Sequence, residues 1–370
     1  MNGAPRKVFI LNPLKDVVHL GLTTHALNVF PPLPGEDFVS YGFSNNSSFE
    51  SGSLRRLPWR RGLPGVFDEV AWMRKLRPDI LYGTGNITES FIVLFRPRSA
   101  KYVIAWHGPY DKKWLLDVGN HSFRAHVAYW IATHLLAHSD LIACDTEFIA
   151  RSLRGSFPNK KVVVTLNGVD TVFYDPAKRD PRWLSEKLSI PAGSPVFVFV
   201  GHLIKRKRPE IFVELARRMP HATFVMVGRE GLYHASDVEA WQKTAPNLQW
   251  IPSSLTREEM PRLLASATAL VFPSLQEPFG LAIVEAMASG LPVVATRSGS
   301  PAELIDDGKE GFLIDEGGDE IDHYGRTLVA IIKDGPEIEK IKHAARIKTE
   351  KIFNWPDVSR RYEDAFRELF

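Results

Sequence analysis

The chain has 370 residues, of which 44% are hydrophobic and 24% charged. That length suits two domains of ordinary size, and the composition is globular, which excludes disordered, collagen-like and fibrous readings. A single cysteine, Cys144, excludes a disulfide framework and a cysteine-based zinc site, and a net charge of +3 does not point to nucleic acid.

The even total conceals an uneven division. Residues 1–185 carry 23 basic and 16 acidic side chains and the remainder 23 and 27, so the first half is +7 and the second −4. Such asymmetry predicts different partners for the two halves.

Residues 8–11 form a short apolar run that ends at Asn12 and Pro13 and is followed by Lys15 and Asp16. This reads as a first β-strand and not as a signal-peptide core. Further strands are predicted over 38–41, 80–82, 102–106, 141–144 and 162–166, with helices over 67–76 and 123–137. A polar stretch, 45–65, reads as an insertion and ends in an arginine-rich run from Arg55 to Arg61. Four prolines, Pro176, Pro181, Pro191 and Pro195, place a linker over 175–195. The second half repeats the scheme, with strands over 196–200, 223–227, 248–251, 269–272, 292–295 and 311–314. Its helices are predicted over 209–219, 257–266 and 280–288, the second opened by a Thr256/Glu259 capping box. Alternation of this kind predicts two doubly wound α/β domains, with ligands in the cleft they face. No segment is long and apolar enough to span a bilayer, so the expectation is a soluble, cytoplasmic protein.

The segment from Pro273 to Met287 carries the most chemistry. Pro278 and Gly280 make a tight entry from a strand into a helix. The amides of Phe279, Gly280 and Leu281 then point out of the helix N-terminus, which suits a diphosphate. Glu277 precedes the turn, and Glu285 lies eight residues on, inside an otherwise apolar helix where a charge is costly unless satisfied.

Glu277 and Glu285, bracketing Pro278-Phe279-Gly280, resemble the E-x7-E motif of the family 4 retaining glycosyltransferases, which have the GT-B fold. Gly290 to Thr296, Glu303 to Leu313, Asn167 to Phe173 and Asp140 to Thr146 resemble neighbouring segments of that family. The similarity extends over nearly the whole chain. It implies that Glu277 bonds the donor sugar, that Glu285 bonds the donor ribose, and that no metal or other cofactor is needed. In keeping with that last point, no Asp-x-Asp occurs in the sequence.

After the predicted strand 196–200 come Gly201, His202, Lys205, Arg206, Lys207 and Arg208. In the family this is a G-R-x-x-x-x-K-G segment that holds the diphosphate and stabilises it as leaving group. Lys207 matches the lysine. His202 stands where the arginine is expected and Arg208 where the glycine is, so either Lys205, Arg206 or Arg208 compensates or donor turnover is weakened. The loop at Arg229 and residues 251–253 are expected to meet the nucleobase.

His107 ends a strand of the first half beside Gly108, and by resemblance contacts the transferred sugar. The family's glycine-rich loop after the first strand is reduced to a single glycine, Gly21. His134 and His138, four apart on a predicted helix, have zinc-pair spacing but no third ligand pattern, and read as ordinary packing. The Arg55–Arg61 region, with Trp59, reads as a surface loop or as a peripheral membrane contact. Trp355 is expected to anchor a last helix that crosses back onto the first domain.

Together these features predict a GT-B fold of two Rossmann-like domains. An acceptor-side domain would span 1–185 with 355–370, and a nucleotide-sugar domain 190–352. The implied activity is a retaining transfer of a hexose from a UDP- or GDP-sugar to a hydroxyl of a glycan, lipid or small-molecule acceptor, without metal. His107, Lys207 and Glu277 are the implied catalytic residues. Gly21, Gly201, His202, Arg206, Arg229, Phe279, Gly280, Leu281 and Glu285 are the implied donor contacts. A nucleotide-sugar-binding subunit without transfer activity and a nucleotide-sugar epimerase are the alternatives.

Overall fold

The computed structural model describes residues 5–11, 38–43, 54–57, 63–85, 87–112, 123–191, 193–252, 255–256, 258–333 and 335–370. They divide into two units, 1–168 with 355–370, and 169–354.

The first unit is built on a parallel sheet of seven strands, β1 (Arg6–Ile10), β2 (Phe38–Phe43), β3 (Leu54–Leu57), β4 (Ile80–Gly83), β5 (Lys101–Trp106), β6 (Leu141–Cys144) and β7 (Val162–Val164). Their order is β3-β2-β1-β4-β5-β6-β7. β4 to β6 are apolar along almost their whole length because helices cover both faces. On one face Met73, Ile92, Leu135 and Leu153, from four helices, pack on Phe9, Leu81, Tyr102 and Ile142. On the other, Val358, Tyr362 and Phe366 of the C-terminal helix Trp355–Arg367 pack on Val8, Tyr82 and Val103.

The second unit has six parallel strands, β8 (Val196–Val200), β9 (Thr223–Val227), β10 (Leu248–Ile251), β11 (Ala269–Phe272), β12 (Val293–Thr296) and β13 (Phe312–Ile314). Their order, β10-β9-β8-β11-β12-β13, reverses direction between β8 and β11. In open α/β sheets the crevice at the carboxyl ends of two such strands is the place left free for a ligand.

Three sequence expectations change. The polar insertion contains a strand, since Leu54 to Leu57 pair in parallel with Ser40 to Phe43 at the sheet edge. Two arginines in four residues hid it, and an edge strand tolerates them because one side meets solvent. Arg55 and Arg56 are therefore strand residues, while Arg60 and Arg61 lie outside the described residues, as does Gly21. The unit boundary is at Gly168/Val169, upstream of the proline-rich segment. Those prolines do not make a linker. Pro176 and Pro181 instead sit at the first positions of a short 3-10 turn, Pro176–Lys178, and of a helix, Pro181–Leu188, each capped by an aspartate, Asp175 and Asp180.

The boundary is tightly specified. A Cβ on Gly168 would lie 2.5 Å from the Trp355 ring. Gly168→Ala is expected to cost about 1–3 kcal/mol in denaturant unfolding. Most of that cost should vanish in a Trp355→Ala background, and an additive double-mutant cycle would contradict the contact.

Candidate functional site

The β8–β11 switch point of the second unit brings together most of the residues singled out in the sequence. β8 ends at Gly201, and a Cβ on Gly228, after β9, would lie 1.8 Å from the Gly201 carbonyl oxygen. The two loops can approach this closely only because Gly228 has no side chain. Lys205–Lys207 then forms one 3-10 turn, and the Leu275 amide, beyond β11, donates to the Arg206 carbonyl at 2.9 Å.

Glu277 is 6% exposed. Its Oε2 accepts from Arg206 Nη1 at 2.7 Å and from Lys207 Nζ at 2.8 Å. Burial alone would raise the carboxyl pKa, but Lys207 and Arg206 outweigh it and bring it to about 2. Burial lowers the pKa of the Lys207 amine, with Glu277 acting against it. The Lys207 amine also lies 4.6 Å from the centroid of the Phe272 ring. The Glu277 backbone is fixed as well. Its amide donates to the Ser298 carbonyl, and its carbonyl accepts from the Ser300 amide and hydroxyl. Gly299 is at φ +82°, and a Cβ there would lie 2.6 Å from that carbonyl oxygen, so a side chain would collide.

Gly280, at φ +86°, turns the chain into helix Leu281–Ala288. In its first turn the Ile283 amide donates back to the Gly280 carbonyl at 2.8 Å, and the amides before it have no preceding helical turn to pair with. Phe279 is buried, edge-on to Phe353 at 6.2 Å. Glu285, one turn into the helix, has its carboxyl pushed up to about 7 by burial, and a hydrogen bond with Tyr174 opposes the rise. Arg346 holds this arrangement by donating to the carbonyls of Tyr174 (2.6 Å), Thr171 (2.9 Å) and Ala288. Neither Tyr174 nor Arg346 was evident in the sequence, because both act across long separations.

The departures from the family pattern have definite outcomes. Arg208, one of the three residues that could compensate on the phosphate side, points into the unit instead. Its guanidinium donates to the Pro273 carbonyl at 2.7 Å, to Thr296 Oγ1 at 2.8 Å and to both Glu320 oxygens at 2.6 and 2.8 Å. Burial, with Arg229 and Lys207 nearby, pushes the His202 imidazole below its ordinary pKa. Its Nε2 accepts from Arg229 Nη2 at 3.4 Å, which brings a guanidinium beside the position where the family carries one.

In the first unit, His107 follows β5 and Asp145 follows β6. His107 Nδ1 lies 2.8 and 3.0 Å from the two Asp145 carboxylate oxygens, and Asp145 is buried. Asp145 was not picked out in the sequence, since no local spacing links residues 38 apart. His134 and His138 are exposed on one helix face, not packed in the core, with Nδ1 of His138 2.8 Å from the His134 carbonyl oxygen. Among the described residues, no three His, Cys, Asp or Glu side chains group as a metal site.

Comparison with known proteins places the chain in a family. Residues 36–173 match glycosyltransferase family 4, and residues 182–348 match the glycosyl transferases group 1. The chain is 25% identical over 336 residues to sulfoquinovosyl transferase SQD2 of Arabidopsis thaliana, covering 86% of this chain and 62% of that protein. It is 28% identical over 259 residues to alpha-maltose-1-phosphate synthase of Mycobacterium tuberculosis, covering 66% and 67%. Among solved structures, sucrose-phosphate synthase from Thermosynechococcus elongatus superposes with a TM-score of 0.77 at 16% identity, covering 99% of each chain. Anabaena HepE in complex with UDP-glucose superposes with a TM-score of 0.73 at 18% identity, covering 98% of this chain and 99% of that one. The chain belongs to the family 4 glycosyltransferases and has their GT-B fold.

Proposed function

We propose that the chain is a retaining, metal-independent hexosyltransferase that uses a UDP- or GDP-sugar and delivers the sugar to a hydroxyl of a glycan, lipid or small-molecule acceptor. The observation that carries this reading is the pairing of Lys207 and Arg206 on Glu277 beside the start of helix Leu281–Ala288. Two cations share one carboxylate, so the cluster keeps a net positive charge near the N-terminus of that helix. That suits a diphosphate on which negative charge develops as the C1–O bond breaks. The new C1–O bond forms on the same face of the sugar, and the acceptor's proton passes to the departing diphosphate. UDP-glucose in the complex of HepE favours the nucleotide-sugar class of donor.

The neutral tendency of His202 favours one competing reading, a nucleotide-sugar-binding subunit without transfer activity. Incubation with a panel of UDP- and GDP-sugars, with and without acceptors, separates the two. Nucleotide release from one donor is expected, and binding without release from any donor would establish the competitor. Lys207→Ala is expected to lower kcat by about 10²–10³. Unchanged turnover in that variant would remove Lys207 from the leaving-group site.

Glu285 gives a pH dependence of known sign. A carboxylate accepts from two adjacent ribose hydroxyls, whereas its protonated form gives up part of that capacity. With the carboxyl pKa raised to about 7, the acceptor form predominates above that pH and is lost below it. Donor affinity should therefore weaken between about pH 8 and about pH 6, approaching tenfold per unit at the acid end. Calorimetry with UDP-glucose or GDP-mannose should show this slope in the wild type and a flat response in Glu285→Gln.

His107 is assigned to a hydroxyl of the transferred sugar, with Asp145 as its positioning residue. Two carboxylate oxygens within 3.0 Å of Nδ1 accept its proton's hydrogen bond, which fixes a proton on that nitrogen and orients the ring. Asp145→Asn is expected to reduce kcat on the order of tenfold or more. Nitrogen-15 NMR of the His107 ring should at the same time show loss of the pure Nδ1–H tautomer. A kcat loss with the tautomer unchanged would mean that Asp145 acts only through folding.

A further inference from the structure

Helices Leu63–Leu76, Ile87–Val93 and Phe123–His138 lie side by side over one face of the first sheet. Their inner sides supply Met73, Ile92, Ile131 and Leu135 to the core. Their outer sides and the turn after the second helix carry Phe67, Phe91, Leu94, Phe95, Phe123 and Trp130, exposed by 40% to 82%. These are six of the eleven exposed large apolar side chains among the described residues. On Phe123–His138 the described exposed positions are 123, 126, 128, 130, 134, 137 and 138, and the large rings among them, Phe123, His126, Trp130, His134 and His138, follow helical spacing along one stripe.

Cations accompany the apolar groups. Arg74 lies over the Phe95 ring at 5.7 Å, and Phe95 meets Phe91 edge-on at 5.0 Å. Arg77, just past the first helix, and Arg98, in the turn after the second, are exposed, whereas Glu69 and Glu89 are buried and Asp68 is half-buried. The unit as a whole holds 23 basic and 17 acidic side chains. A partner that covers this face must accept protruding aromatic rings and also carry negative charge. Rings on convex helices, interleaved with arginines, match the boundary between acyl chains and acidic headgroups better than a protein groove would.

We infer that this three-helix face is a docking surface for an anionic lipid bilayer. It is distinct from the Arg55–Arg61 segment suggested by sequence, and it does not depend on the transfer reaction proposed above. The test is co-sedimentation of the full chain with phosphatidylcholine vesicles, with or without phosphatidylglycerol. Binding is expected only with phosphatidylglycerol, weakening as salt rises. Phe91→Ser with Phe95→Ser, and separately Arg74→Glu with Arg98→Glu, should each reduce it at least tenfold while nucleotide-sugar binding is unchanged. No binding to the acidic vesicles, or binding indifferent to the phenylalanine pair, would overturn the inference. So would self-association of the chain that disappears in the phenylalanine variant, which would assign the face to a second copy.

Discussion

A carboxylate withdrawn from water is tolerable only when a cation and hydrogen bonds replace its hydration, and Glu277 is in that position. Its partners, Arg206 and Lys207, come 71 and 70 residues earlier in the chain. The loops after β8 and β11 are therefore joined by an ion cluster whose rupture would leave a buried charge uncompensated. Topology opens a crevice at the carboxyl ends of these two strands, and the cluster fixes its walls. Because two cations meet one anion, the same contact that braces the loops leaves positive charge facing the start of helix Leu281–Ala288. The atoms that brace the loops are the same ones proposed above to meet the diphosphate.

The substitutions around this cluster make sense once the loops are seen as braced. Arg208 adopts a left-handed backbone, φ 48°, where glycine would be unstrained. The strain is on the order of 1–2 kcal/mol. It is offset by a guanidinium that reaches the Pro273 carbonyl, Thr296 and Glu320, with Tyr324 extending the network from Thr296 at 2.9 Å. With arginine where the resembled motif has glycine, this turn is anchored to the interior of the unit. At His202, where that motif has arginine, a ring whose proton is disfavoured stands instead, with Arg229 against it.

Fold class and strand positions were legible because they rest on local patterns. Strands β6, β8, β9, β10 and β11 have the bounds expected from their apolar runs, since parallel strands covered on both faces need little else. β3 was not legible, because Leu54-Arg55-Arg56-Leu57 obtains its partners from the sheet edge and not from its own composition. The prolines of 175–195 misled for a related reason. Proline marks a break in one context and a helix start in another, and the capping aspartates decided for the latter. At the site, Glu277, Lys207 and Glu285 could be found from their neighbours in sequence. Tyr174, Arg346 and Asp145 could not, since each acts across 38 or more residues and is defined only by what the fold brings beside it.

The charge division also changes meaning with the boundary in its observed place. Counted by folded unit, the first is +6 and the second −3. The unit that carries the proposed diphosphate site is thus slightly acidic, and Lys205, Arg206, Lys207 and Arg229 form a local basic group within it. Such a site attracts an anion at short range but not from afar, since opposite charges within a Debye length cancel beyond it. The first unit is basic over an extended area, where exposed aromatics interrupt the arginines. An extended positive field acts on a large anionic object, and a local one on a small anionic group. On the readings proposed above, the first unit's charge suits an extended anionic surface and the second unit's a small anionic group.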